Sequence, residues 1–185
     1  EFRRVLFRSE TSSEAWLTFE QLNNTATFDI SKLKPRYGIG GTDLSETTDL
    51  CSACVVFKLP EDETIYAKHM YWLPEDLLEK RTNEDKIPYN IWYDMGLLRV
   101  SEGNSIHPKV VTAWFVEMQE KYDIYIPWIG YDRWSAKYWV EEMQGYFGKE
   151  SMIPIAQGAQ TLSNPMKLLG ADLEAKRINY DNNPI

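Results

Sequence analysis

Two cysteines and two histidines are the chain's whole supply of thiol and imidazole ligands. Cys51 and Cys54 form a single Cys-x-x-Cys, and a zinc site of that type needs two more ligands. A redox pair would open a helix, whereas Ala53-Cys54-Val55-Val56-Phe57 continues as a β run. Residues three apart on a strand point to opposite faces, so both cysteines read as small buried hydrophobes. His69 and His107 have no partner at a ligand spacing and read as strand or surface histidines. No apolar run approaches the ~20 residues of a membrane helix. With no secretory signal, two cysteines fit a reducing cytoplasm. No G-x-x-x-x-G-K-[ST] loop occurs, which excludes ATP binding by this segment in that manner. Gly38-x-Gly-Gly lacks the G-x-G-x-x-G spacing of a dinucleotide site, and no serine stands in a G-x-S-x-G elbow.

Positive charge is also short. Against 28 acidic residues stand 20 basic ones, a formal net charge of −8. That excludes a generic nucleic-acid coat, which needs clustered Lys and Arg to neutralise phosphate. It leaves room for an enzyme whose acidic site reaches phosphate through metal ions. What the chain does have is aromatic surface: seven Trp and eleven Tyr among 185 residues. Its 43% hydrophobic and 26% charged residues are those of an ordinary globular domain. The length suits one domain with a sizeable core.

The pattern along the chain predicts a mixed α/β sheet. Strands are expected at about 36–43, 51–59 and 64–72, with short links that suggest an antiparallel meander. A helix opens at Pro74, followed by a loop with Pro88 and Tyr89 and a short strand near Leu97–Val100. Val111, Trp114, Phe115 and Met118 give 108–122 helical spacing. A strand over 124–131, a helix over 134–146, a strand over 152–155 and a helix from Pro165 complete the order. Three antiparallel strands, then parallel strands with flanking helical crossovers, is the fold class expected. Residues 1–9 match nothing that follows and read as an expression or sequencing scar. Residues 10–35 read as a linker from an upstream domain, and 36–185 as the domain itself, cut before its last elements.

Two of the strands end in aspartate. Tyr37-Gly38-Ile39-Gly40-Gly41-Thr42-Asp43 is glycine-rich, which lets the backbone approach a ligand closely. Ile129-Gly130-Tyr131-Asp132 leads into the next helix, where Asp132 also suits an N-cap. Ligands gather where parallel strands end. If these strands are neighbours, their carboxylates repel unless they share a proton or a cation. A divalent metal suits that arrangement, and hard cations such as Mg2+ choose oxygen ligands. Asp49, six residues past Asp43, is a candidate further ligand or an orienting carboxylate, and a turn residue on the plain reading.

These residues resemble a known family. Tyr37-Gly38-x-Gly-Gly-x-Asp43-Leu44-Ser45-x-Thr47-x-Asp49-Leu50 is similar to the opening of the nuclease domain of the tailed-phage terminase large subunit. Pro88-Tyr89-x-x-Trp92, Gly96-Leu97-Leu98 and Ser101-Glu102-Gly103-Asn104-x-Ile106 follow in the family's order. So do Ile129-Gly130-Tyr131-Asp132-Arg133-Trp134, where the family more often has proline after the aspartate, and Gln157-Gly158-x-Gln160-Thr161-Leu162-Ser163-x-Pro165-Met166-Lys167. Ala15-Trp16-Leu17 resembles the linker from the family's ATPase motor. The resemblance implies a ribonuclease H-like fold and a two-metal endonuclease that cuts concatemeric double-stranded viral DNA in the host cytoplasm. It implies Asp43 and Asp132 as catalytic ligands of Mg2+ or Mn2+, with a third acid on a helix beyond Ile185. ATP enters only through the motor domain, and the partners implied are DNA, the portal protein and the small terminase subunit. Arg133, Gln157 and Lys167 are the candidate DNA contacts.

Three other readings fit parts of the pattern. A recombinase or transposase can share the fold, since fold does not fix function. A non-catalytic docking module would use the acidic charge and aromatics for protein contacts. A glycosidase would use the two aspartates as acid and base, with tryptophans against sugar.

Overall fold

Strand β2 (Cys51–Phe57) is buried at Cys51, Ala53, Val55 and Phe57 and more open at the residues between them. This period of two gives the sheet one dry face and sets the architecture. The structure is a computed structural model that describes residues 16–44, 50–132 and 137–185. β2 pairs antiparallel with β1 (Ile39–Asp43) on one side and with β3 (Ile65–Pro74) on the other. The expected meander is therefore present. Beyond it, β4 (Leu98–Ser101) runs parallel to β3, while β5 (Ile129–Asp132) runs parallel to β1 and β6 (Met152–Ile155) parallel to β5. The order across the sheet is β4-β3-β2-β1-β5-β6.

Short helices α1 (Phe19–Leu22) and α2 (Ile30–Leu33) precede the sheet. Helices α3 (Leu78–Asp85) and α4 (Tyr89–Asp94) connect β3 to β4. The long α5 (Pro108–Tyr122) leads to β5. Then α6 (Lys137–Phe147) leads to β6, and α7 (Ala159–Glu174) to a two-residue strand β7 (Ile178–Asn179). Against the dry face lie Val111, Trp114, Phe115 and Met118 of α5 and Trp139 and Met143 of α6. Trp139 Nε1 donates to Thr112 Oγ1 at 2.9 Å, so the two helices share one buried hydrogen bond. Among the described residues, no helix is long and apolar enough to cross a membrane.

Three expectations change and one strand is new. The segment 124–131 is not one strand: Ile124 and Ile126 enter the core, and the regular ladder starts only at Ile129. Pro127 has no N–H to give, so the pairing with β1 is split around it. Gly38 N donates to Tyr125 O at 3.0 Å on one side, and Gly40 N to Trp128 O at 2.8 Å on the other. The expected loop at Pro88–Tyr89 is α4, whose buried Tyr89 and neighbouring Trp92 pack on Leu73 and Leu98. Six residues are too few to show a period. The last helix starts at Ala159 and keeps Pro165 inside it. Its Gly170 fits against Trp16 and Leu17, and that packing outweighs the single hydrogen bond proline removes. Finally, β7 pairs with Ile65 and Tyr66 of β3. Two residues carry no strand signal of their own.

The stretch expected as a linker is packed where it is described. Phe28 meets Phe57 and Tyr66 edge-on at 5.8 and 5.2 Å. Asn24 Nδ2 donates to Ile178 O at 2.7 Å, and Ile30 is buried.

Gly38 and Gly40 owe their identity to packing. A Cβ on Gly40 would lie 2.9 Å from both Phe115 Cε1 and Ile129 Cγ1. Gly40→Ala is therefore expected to cost about 1–3 kcal/mol, the range for overpacking. A lower urea midpoint at unchanged slope is the measurement, and an unchanged midpoint would count against this packing.

Candidate functional site

The pleat decides where the two aspartates point. Gly40 and Ile129 meet Phe115 on the helix-covered face, and Tyr131 packs there on Trp139 at 6.3 Å. By alternation, Ile39, Gly41 and Asp43 of β1 and Gly130 and Asp132 of β5 lie on the opposite face. Gly130 agrees, because a Cβ there would meet Ile155 at 3.4 Å rather than a helix. The register is Gly40↔Ile129, Gly41↔Gly130, Thr42↔Tyr131. One step further along both strands stand Asp43 and Asp132. They end adjacent parallel strands, about 4.8 Å apart in the backbone, and share a face. Asp43 is exposed and Asp132 half-buried. The condition left open by the sequence, that these strands be neighbours, is met at the end of the sheet where α/β proteins place ligands.

The other candidates separate. Gln157 follows β6, whose Ile155 is the register partner of Asp132, so this exposed glutamine shares the aspartates' end of the sheet. Lys167 is exposed on α7. Asp49 and Arg133 lie outside the described residues. Among the described residues, no group of three or more His, Cys, Asp or Glu is placed to hold a metal.

One feature of the same face was not expected. A cavity of about 1050 Å3 lies between β2–β3 and α1, α7 and the terminal residues. Cys54, Val56, Ala67, His69 and Tyr71 line its floor. The signal was present in the sequence: β2 and β3 carry apolar residues at both parities, which marks a strand covered on both faces. Cys51 and Cys54 do point to opposite faces, Cys51 into the core and Cys54 into this cavity. Burial pushes the Cys54 thiol up to about 12, so it is inert as a nucleophile at neutral pH. Burial, and then the neighbouring Cys54, push Tyr71 up to about 12 as well.

His69, on the same cavity floor, is perturbed in the direction that affects stability near neutral pH. Its ring stacks on Tyr71 at 6.0 Å, and its buried Nδ1 has no hydrogen-bond partner among the described residues. Burial first, then the charge of Lys68, lower its pKa from 6.5 to about 4. The folded chain holds this imidazole neutral while the unfolded chain protonates it near pH 6.5. Stability is therefore intact above pH 6.5 and is lost as pH falls from 6.5 to 4, by up to about 3 kcal/mol. His69→Gln is expected to flatten urea stability against pH in that window relative to the parent. Two parallel profiles would show that His69 titrates normally.

Three antiparallel strands, two parallel strands beside the first, and helices against the sheet define a ribonuclease H-like domain. The comparisons narrow the class. The model of the terminase large subunit endonuclease domain matches residues 2–185. The chain belongs to that family. The terminase large subunit of Enterobacteria phage HK97 is 26% identical over 151 residues, which is 82% of this chain and 29% of that protein. The crystal structure of the HK97 bacteriophage large terminase matches with a TM-score of 0.71 at 25% identity, over 81% of this chain and 31% of that one. The chain thus spans under a third of the length of this relative.

Proposed function

We propose that the chain is the nuclease part of a DNA-packaging terminase and hydrolyses phosphodiester bonds of double-stranded viral DNA with two divalent metal ions. The observation that carries this reading is the register of β1 and β5, which sets Asp43 beside Asp132 on one face. Two aspartate carboxylates at the ends of adjacent strands supply oxygen donors only, which suits Mg2+ or Mn2+ rather than a soft metal. The described residues provide two such ligands. Asp49, the acid implied beyond Ile185, and solvent or phosphate oxygens make up the rest.

Bound metal ions would activate water and stabilise charge on the scissile phosphate. The chain's own part is to hold the two carboxylates on a rigid sheet, so that their geometry is fixed before substrate arrives. Asp132, half-buried, is the better fixed of the two, and Asp43 is open to solvent and substrate. Gln157 is exposed at the same sheet end, which supports a role in donating to a phosphate oxygen. Lys167 and Arg133 remain candidates for backbone contacts, without which a chain of net charge −8 repels DNA. The portal protein and small terminase subunit are the partners, the host cytoplasm the setting, and ATP acts through the motor domain alone.

Calorimetric titration of Mn2+ into the protein tests this directly. Saturable binding that disappears in Asp43→Asn and in Asp132→Asn is expected. Binding that survives both substitutions would sink the metal site.

A further inference from the structure

Gly41 poses a question that its neighbours do not. Packing explains Gly38 and Gly40, because a Cβ at either would strike the core. Among the described residues, a Cβ on Gly41 would meet nothing within 4 Å, and its φ is not in the left-handed region. Gly130, its register partner on β5, would make only an ordinary contact with Ile155. Neither glycine is required by the backbone or by the core. A glycine inside a strand weakens it, and β-branched residues suit such positions better. Glycine at such a point marks the close approach of another chain.

The surroundings say what approaches. Gly41 and Gly130 lie on the same face as Asp43 and Asp132, two residues earlier on each strand. Two residues earlier again are Ile39 and Trp128, exposed by 54% and 52%. Trp128 is held there by its carbonyl, which accepts from Gly40 N at 2.8 Å. The open face therefore carries three tiers in line: a pair of carboxylates, a side-chain-free floor, and a large exposed apolar platform. From Asp132 to Trp128 is about 13 Å, a reach of only a couple of nucleotides along the backbone of one DNA strand.

Resting on the nuclease reading above, we propose that this strip is the bed of the DNA strand being cut. Its sugar-phosphate backbone lies flush on Gly41 and Gly130, which brings the scissile phosphate down to Asp43 and Asp132. Trp128, with Ile39 beside it, takes the apolar face of a sugar or base a couple of nucleotides away. Gly41 and Gly130 are positioning residues, and Trp128 fixes the register of the strand.

Two variants test this in the full-length protein, with melting temperature, Mn2+ titration, and kcat and KM for cleavage of a duplex oligonucleotide as readouts. Gly41→Val raises KM about tenfold, the scale of one lost stacking or backbone contact, and leaves the melting temperature and Mn2+ binding unchanged or better. Trp128→Ala raises KM to a similar degree, and Trp128→Phe restores it. If the parent cuts DNA and both variants match its KM, the strand bed is wrong and the metal site stands. If Gly41→Val lowers the melting temperature, a protein element covers this strip instead, and the proposal is overturned. If the parent neither binds Mn2+ nor cuts DNA, the nuclease reading itself falls and takes the strand bed with it.

Discussion

On the proposed metal site, Asp43→Asn and Asp132→Asn are each expected to lower DNA cleavage by more than about a hundredfold, because loss of even an outer partner of a metal ligand costs ~10–100-fold. The substitution keeps the side chain's size and removes its charge. Stability therefore moves little. Asp43 is exposed, and relieving repulsion between two carboxylates on adjacent strands favours folding if it acts at all. The signature of a ligand is a lost activity with an unchanged melting temperature. A plain strand-end aspartate gives the reverse, some loss of stability with cleavage intact. The double variant is expected to be no worse than either single one, since residues that act as a unit lose their effect together. Measuring kcat/KM with Mg2+ and with Mn2+ for all four proteins decides it. Cleavage that survives both substitutions removes Asp43 and Asp132 from the catalytic site, and a parent that does not cut favours the docking-module reading. Strand transfer by the parent favours a recombinase.

Trp114→Ala is expected to cost about 3–5 kcal/mol, the range for removing a large aromatic from a core. A domain is stable by only about 5–15 kcal/mol, so this one change removes a large share of the total. Trp114 is 2% exposed and sits at the centre of the dry face. It meets Trp72 of β3 edge-on at 6.1 Å and Phe115 at 5.1 Å, so its loss leaves a void shared by helix α5 and the sheet. For a chain of this size that is a fall in melting temperature of roughly 6–20 °C. The contrast is Tyr138→Ala on α6, whose ring is 88% exposed and whose removal is expected within about 0.5 kcal/mol. Thermal unfolding followed by far-UV dichroism compares the two. A small effect at Trp114 would mean that the helix is not seated on the sheet as described.

The aromatic richness that stood out in the composition thus divides by position. Trp72, Trp114 and Trp139 are core residues, and their apolar spacing in the sequence already placed Trp114 inward. Trp128, Tyr37 and Tyr125 are exposed, and the last two meet edge-on at 6.1 Å. Nothing in the local sequence of Trp128, Tyr37 and Tyr125 marks them as exposed. Exposure at Trp128 follows from Pro127, which interrupts the ladder and turns the chain just before β5 begins.

Local pattern was enough for elements that make most of their own hydrogen bonds or show a full period. Helix α5 spans the expected 108–122, and β6 the expected 152–155. It was enough for the meander too, because short charged turns leave consecutive strands little choice but to pair. It was not enough for α4 or β7, whose few residues are held by partners distant in the chain. Nor could it place the start of α7, since proline is as favourable at the first turn of a helix as it is tolerable inside one that is well packed.

The chemistry divides in the same way. The sequence by itself determined that two glycine-led strands end in aspartate, that it holds no second pair of zinc-spaced ligands and no nucleotide-loop motif, and which family the motifs resemble. All of these depend only on residue type and spacing. Whether Asp43 and Asp132 meet was a question of strand order and pleat parity. A shift of one residue in the pairing of β1 and β5 would have turned one carboxylate to the opposite face. That register is set by the core, where Gly40 and Ile129 close against Phe115, residues drawn from three separate segments. Only the tertiary structure could decide it.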